Sequence, residues 1–329
     1  MNNFWRNKRV LITGANGFLG AYLTKNLICK GVRPFVLIFE KNPGGVFEEE
    51  RLADKVHIIM GDIRDLKLIQ KILKKNKIDT VFHLAAQAVV NEALENPLQT
   101  LETNVGGTWN ILEACRNLKT VKRIIVASSD KAYGHYKVLP YKEHSHPLKG
   151  IYPYEVSKTC ADLIAQSYWK TFNLPVCITR CTNLYGPGDL KFNRIVPNTI
   201  SRLYRLQPPI IRDNPNALRD YLYIEDVVGA YILLAENMNK KMFGNAFNFS
   251  TNIPLSVQDA INIISKEMRQ DIVSKIIRTK GFEIQHQYAS YDKAHKFLKW
   301  KPNHTFLEGI QKTIPWYIKY FQKNPVQLP

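Results

Sequence analysis

Tyr154 and Lys158 stand four residues apart in a stretch, Tyr154–Phe172, whose pattern predicts a long helix, so both side chains share one face. An ammonium beside a phenol favours the phenolate. A tyrosinate can take the proton of a hydroxyl while hydride leaves the same carbon. Ser129, just past the predicted strand Arg123–Ala127, is placed to hydrogen-bond that hydroxyl. The chemistry these types support is oxidation of an alcohol by a nicotinamide. Tyr-x-x-x-Lys alone is frequent by chance, so the reading rests on its position after Ser128-Ser129 and on a second motif near the N-terminus.

That second motif is Gly14-Ala15-Asn16-Gly17-Phe18-Leu19-Gly20, between a predicted strand at Arg9–Thr13 and a predicted helix from Phe18 to Lys30. Glycines let the backbone approach a pyrophosphate, and the helix start supplies free N–H groups and a favourable dipole. As a lone motif this is a structural strand–helix turn; strand before and helix after make it a dinucleotide site. Glu40, past the second strand, is expected to accept from the adenosine ribose hydroxyls. Phe39 occupies the place where an NADP enzyme usually has arginine, which favours NAD, although Lys41 leaves pairing with a 2′-phosphate open. Asp62 and Ile63, after the third strand, are expected to line the adenine pocket.

The elements that must position these groups alternate. Strands are predicted at Pro34–Phe39, Val56–Met60, Thr80–Leu84 and Val176–Arg180, and helices at Leu66–Lys75 and Thr103–Asn117. Strand and helix in alternation argue for a doubly wound parallel sheet covered on both faces, a Rossmann arrangement of the α/β class. Beyond Gly186 the rhythm changes. Helices are predicted at Arg194–Leu206, Val257–Met268 and Phe306–Tyr320, with a short strand at Ala246–Phe249. The expected organisation is a dinucleotide domain over residues 1–186 and a smaller substrate-binding lobe over 187–329. The two interleave, part of 215–250 returning to the sheet.

Composition narrows the class. Hydrophobic residues make up 45% and charged residues 22% of 329, ordinary for a globular chain with its own core. The five cysteines form no Cys-x-x-Cys pair and are odd in number, against a disulfide framework or zinc site and for a reducing compartment. No metal is expected. The stretch from Met1 to Arg9 lacks an apolar run suited to a signal peptide, and no run of about 18 apolar residues suggests a span, so a cytoplasmic location is expected. The net charge of +18, with pI near 9.6, raises nucleic-acid binding. However, the lysines are scattered, and the densest cluster, Lys71, Lys74, Lys75 and Lys77, reads as the solvated face and end of a helix. Excess positive charge instead favours an anionic small substrate.

Taken together, the motifs resemble those of the extended short-chain dehydrogenases that modify nucleotide sugars. The resemblance runs nearly end to end: Thr13–Gly20, His83-Leu84-Ala85-Ala86-Gln87, Asn104-Val105-Gly106-Gly107-Thr108, Ser128–Gly134, Tyr154–Lys158, Arg180–Gly186, Arg219–Asp226 and Trp300-Lys301-Pro302. Within that superfamily the pattern is closest to the sugar-nucleotide 4,6-dehydratases. The CDP-glucose group has a similar Phe-Trp before its first strand, here Phe4-Trp5, and an Asp-Lys pair after the active-site serine or threonine, here Asp130-Lys131. Dehydratases of dTDP-glucose carry Asp-Glu there, and 4-epimerases usually carry small residues.

The resemblance implies a 4-keto-6-deoxy sugar nucleotide as product, in 6-deoxy sugar and polysaccharide biosynthesis. A ketone at C4 acidifies the C5 proton, and loss of that proton with the C6 hydroxyl gives an enone. Asp130 is then expected to be the acid at the C6 oxygen and Lys131 the base at C5, where burial and a neighbouring positive charge favour the neutral amine. The competing reading makes Lys131 a solvated strand-end charge or a phosphate contact. The resemblance further places Leu84, Ala85, Ala86 and Asn104 at the cofactor, Asn183 and Arg219 at the substrate diphosphate, and Gln87 at the sugar. Arg194 and Arg212 are further candidates for phosphate or ribose. His83 is expected to be structural. It also implies a homodimer, or an oligomer built from dimers, through a four-helix bundle supplied by Asn104–Asn117 and Tyr154–Phe172. Two alternatives stand beside the dehydratase: a 4-epimerase or ketoreductase using the same oxidation, and a non-catalytic dinucleotide-binding protein. Neither base nor hexose is fixed by the sequence.

Overall fold

The computed structural model describes residues 3–278 and 284–325; Met1 and Asn2, part of the stretch read for a leader, lie outside them. The first half runs β1 (Val10–Thr13), α1 (Phe18–Cys29), β2 (Phe35–Ile38), α2 (Val46–Glu49), β3 (His57–Met60), α3 (Leu66–Lys75), β4 (Thr80–His83), α4 (Val90–Glu95), α5 (Pro97–Leu101), α6 (Gly107–Arg116), β5 (Arg123–Ala127), α7 (Pro153–Phe172) and β6 (Val176–Cys181). The second half adds β7 (Asn183–Tyr185), α8 (Ile195–Tyr204), β8 (Ile210–Arg212), β9 (Leu218–Arg219), β10 (Tyr221–Tyr223), α9 (Ile224–Asn237) and β11 (Ala246–Phe249). It ends with β12 (Leu255–Ser256), α10 (Val257–Glu267), β13 (Lys275–Ile277), β14 (His286–Gln287), α11 (Asp292–Leu298) and α12 (Phe306–Lys323).

The main sheet has the strand order β3-β2-β1-β4-β5-β6-β11, and every pairing is parallel. β1, β2, β4 and β6 are buried throughout, as a sheet covered on both faces requires. One face packs against α1 and α9, through Leu23 and Leu27 with Val227, Ala230 and Leu234. The other packs against α3, α6 and α7, through Ile69, Leu73, Ile111, Leu112 and Ala165. Chain order reverses between β1 and β4, which opens a crevice at their carboxyl ends. A third apolar cluster joins α8, α10 and α12 through Ile200, Ile264, Ile310 and Tyr317. That lobe stands beside the crevice, tied to it by the parallel β7–β10 pair and by β12-β9-β14.

Two departures from the sequence pattern have physical causes. The single helix expected over Thr103–Asn117 is two pieces, a wide π-type turn at Glu102–Gly106 and α6, and α5 runs directly into that turn. Here Asn104 is drawn inward to partners outside the helix, and such a turn accommodates it. α9 leaves no readable stripe because it is apolar nearly all round, wedged between β-sheet and α1. β11, although it follows the lobe's first strands, pairs with β6 at the sheet edge. Among the described residues, no helix is long and apolar enough to cross a membrane.

Candidate active site

The glycine turn follows β1. Gly14 adopts φ +70°, and a Cβ there would lie 2.8 Å from the backbone nitrogen of Ala85. A Cβ on Gly20 would overlap the carbonyl oxygen of Gly14. Strand end and helix start are thus in direct backbone contact, as close approach of a pyrophosphate requires. Gly17 is the N-cap of α1 and supplies no side-chain cap, so the first N–H groups of the helix, at Phe18, Leu19 and Gly20, are left for a ligand or water. Asn16 donates to the carbonyl of Glu40 at 2.6 Å, and Asn42 donates to the carbonyl of Asn16 at 2.9 Å, fixing the turn beside the chain that leaves β2. The Glu40 side chain is exposed there. These features fit a dinucleotide with its pyrophosphate at the start of α1.

After β3, Asp62 accepts from the backbone nitrogen of Arg64 at 2.8 Å and from its guanidinium, which holds the carboxyl below its ordinary range. The Ile63 side chain is buried against Gly107 at the start of α6. Beyond β4, the nitrogens of Leu84 and Ala85 both donate to Thr13 Oγ1, at 3.2 and 3.1 Å, and Ala86 continues the same half-buried loop. His83 lies between the Thr13 and Thr108 hydroxyls, at 2.9 and 3.1 Å, and burial drives it down to about 3, so it is neutral. Asn104 is held by three hydrogen bonds. Its amide oxygen accepts from Gln87 N (2.8 Å), and its nitrogen donates to Gln87 O and Ser157 Oγ (2.9 Å each). These bonds clamp the β4 loop to α7 and leave the amide oxygen a second acceptor position.

Pro153 opens α7, where its missing N–H is no loss. Tyr154 and Lys158 are both buried on the face turned to the sheet. Lys158 Nζ donates to the carbonyl of Ala127 at 3.0 Å, and burial pulls it down to about 8. Burial pushes Tyr154 up to about 12, opposed first by the charge of Arg194 and then by hydrogen bonding with Ser129. Arg194 is thus a cation acting on this phenol that the Tyr-x-x-x-Lys spacing does not reveal. Arg194 immediately precedes α8 and is held by Asp189 at 3.0 Å.

Ser129 caps the short turn Asp130–Tyr133: its Oγ accepts from Lys131 N and donates to Asp130 Oδ1, both at 3.2 Å. Asp130 is 2% exposed and its Oδ2 makes no hydrogen bond among the described residues. Burial raises this carboxyl to about 7, a rise that Asp220 assists and that Lys131 and Arg219 restrain. A carboxyl so raised can hold a proton near neutrality, and its charge acts on the Tyr154 phenol. Lys131 Nζ donates to Gln287 Oε1 at 3.2 Å.

At the lobe side, Arg219 is buried and donates to the carbonyls of Leu218 and Gln285, both at 2.9 Å. Asn183 donates to the carbonyl of Asp220 at 3.1 Å. The Asp220 carboxylate caps the turn at Thr251-Asn252. Arg212 is exposed on β8 and donates to the carbonyl of Asn193 at 3.0 Å. Gln87 spends its amide nitrogen on Val89 O and Glu92, while its Oε1 is buried with no hydrogen bond among the described residues. Two features escape sequence reading. One is Gln287. The other is the buried bidentate pair of Arg180 with Asp162, at 2.8 and 2.9 Å, with Arg180 also donating to the Tyr133 hydroxyl. Asp162 lies on the same helix as Tyr154, two turns on, and its spacing from Lys158 carries a signal only once a buried arginine is known.

The family model for GDP-mannose 4,6 dehydratase matches residues 11–313. The chain belongs to that family. The CDP-glucose 4,6-dehydratase of Salmonella typhimurium is 30% identical over 334 residues, covering 96% of this chain and 92% of that protein. The solved UDP-glucose 4-epimerase of Thermotoga maritima, with UDP-glucose, has a TM-score of 0.87 at 25% identity, over 94% of this chain and 99% of that one. The solved dTDP-glucose 4,6-dehydratase of Streptomyces venezuelae, with NAD bound, has a TM-score of 0.86 at 24% identity, over 97% and 100%. The architecture of this family member is therefore the one that epimerases and dehydratases of sugar nucleotides share.

Proposed function

We propose that this family member is an NAD-dependent nucleotide-diphosphate-sugar 4,6-dehydratase acting on CDP-glucose or a related NDP-hexose. The observation that carries the reading is Asp130: a buried carboxyl raised to about 7, directly after Ser129, beside Lys131 and within electrostatic reach of Tyr154. A 4-epimerase needs no acid of this kind, since it breaks no C–O bond. The epimerase likeness in overall structure therefore does not favour that reading.

Gly14, Gly17 and Gly20 would hold the pyrophosphate of NAD at the start of α1, and Glu40 would hold its ribose. Bound NAD would accept hydride from C4 of the hexose and later return it to C6. Tyr154 takes the C4 hydroxyl proton at its phenolic oxygen, with Ser129 as hydrogen-bonding helper and with Lys158 and Arg194 supplying positive charge. Lys131 removes the C5 proton at Nζ and gives a proton back to C5 when hydride reaches C6. Asp130 gives its proton to the departing C6 hydroxyl, which leaves as water. Arg219 and Asn183 take the substrate diphosphate, with Arg194 and Arg212 adding positive charge along the same side. The dimer reading draws support from Trp109 on α6 and Leu163 and Phe172 on α7, large apolar side chains about half exposed on neighbouring helices.

The test is incubation of the protein and NAD with CDP-, GDP-, UDP- and dTDP-hexoses. One of them is expected to lose one water in mass and give a 4-keto-6-deoxy product. A product of unchanged mass with C4 inverted would sink the dehydratase reading.

A further inference from the structure

Lys131 can serve as a base only if its nitrogen is aimed at carbon and is not locked to an anion. What aims it comes from far along the chain. Gln287 is fully buried on β14, which runs parallel to β9 in a register that sets Gln287 opposite Arg219. Lys131 Nζ donates to Gln287 Oε1 at 3.2 Å, a bond that the ammonium and the neutral amine can both make, and Nε2 then faces away from the lysine. That Nε2 is buried and has no hydrogen bond among the described residues. Leaving an amide donor unpaired in the interior is unfavourable. Stability therefore does not explain the residue, and the open donor points to a ligand oxygen.

We infer that Gln287 is the positioning residue for Lys131, orienting its nitrogen for removal of the C5 proton and offering its own amide nitrogen to an oxygen of the sugar. The inference rests on the dehydratase reading and adds a specific part to it. A neutral amide is the suitable partner. It directs the lysine through one hydrogen bond, whereas a carboxylate there would favour the ammonium form and disarm the base. The charged groups that act on the neighbouring Asp130 are Lys131 itself and Arg219 and Asp220 from the lobe. Because β14 also carries the strand partner of Arg219, one segment sets both the proposed base and the proposed diphosphate contact.

The experiment uses the full chain with NAD and CDP-glucose, with the other three NDP-hexoses as alternates. C4 oxidation is read as reduced-nicotinamide absorbance, and proton removal as deuterium entering C5 from heavy water. Gln287→Ala is expected to keep C4 oxidation at saturating substrate while slowing C5 exchange about 10- to 100-fold, the usual loss for a misdirected catalytic group. In a Lys131→Ala background the same change should cost nothing further. Gln287→Glu should move the pH of half-maximal exchange upward by about one unit, and it carries the test if the alanine variant does not fold. Wild-type exchange in Gln287→Ala, an equal loss with and without Lys131, or an unmoved profile in Gln287→Glu would overturn the inference while leaving the function standing. Failure of the wild-type protein to make a 4-keto-6-deoxy product from any of the four sugars overturns both.

Discussion

Asp130→Asn should change how the stability of the protein depends on pH. The wild-type carboxyl is raised from an ordinary value of 3.8 to about 7 by burial. Below about pH 4 the folded and unfolded states both hold the proton. Between about 4 and 7 the unfolded chain releases it and the folded chain keeps it, so stability falls as pH rises and levels off above 7. At 1.36 kcal/mol per unit, the full loss is about 4 kcal/mol, of which about 2 falls between pH 5.5 and 8. Asparagine has nearly the same shape and does not ionise, so the variant lacks this term. Asp220, raised to about 6 by burial, gives a slope of the same sign at lower pH. It is present in both proteins and largely cancels in their difference. The assay is urea unfolding of both proteins at half-unit steps from pH 5.5 to 8. The wild type should lose stability against the variant by about 2 kcal/mol across that window. Parallel curves would mean that Asp130 ionises freely in the folded state, which would also remove its standing as a proton donor at neutral pH.

Three further outcomes are expected. Tyr154→Phe should reduce turnover by at least about 10²-fold while NAD still binds, measured by steady-state kinetics and calorimetric titration; activity within a few-fold of wild type would contradict the hydroxyl-proton role. Gly20→Ala should weaken NAD binding and cost about 1–3 kcal/mol in unfolding experiments, because its Cβ would overlap the Gly14 carbonyl; unchanged affinity would argue against a pyrophosphate at that turn. Asp162→Ala leaves the Arg180 guanidinium buried beside Tyr133 without its carboxylate, at an expected cost of about 3–5 kcal/mol; a loss under about 1 kcal/mol would show that water or another acid reaches Arg180.

What the sequence by itself determined was whatever depends on short spacing. The strand β1, the glycine turn and α1 are contiguous, so their types and order prescribe the local contact of Gly14 with Gly20. Tyr154 and Lys158 share a helix face at four residues' separation, whatever the rest of the chain does. The Ser129-Asp130-Lys131 run is likewise local. The period of α7 and the apolar runs of the parallel strands were legible because burial on one or both faces imposes them. Helix α9 was not legible, since a helix buried all round has no polar face to mark its period. What only the tertiary structure decided was which distant groups converge. Gln287 reaches Lys131 across 156 residues of sequence because β14 pairs with β9, and Arg194, at the start of α8, acts on Tyr154 across 40 residues of sequence. Asn104 and Ile63 likewise meet protein partners distant along the chain. The proton on Asp130 belongs to the same class. The family resemblance names Asp130 as an acid, but only its burial in the assembled fold gives the physical reason for a carboxyl beside a lysine to hold a proton.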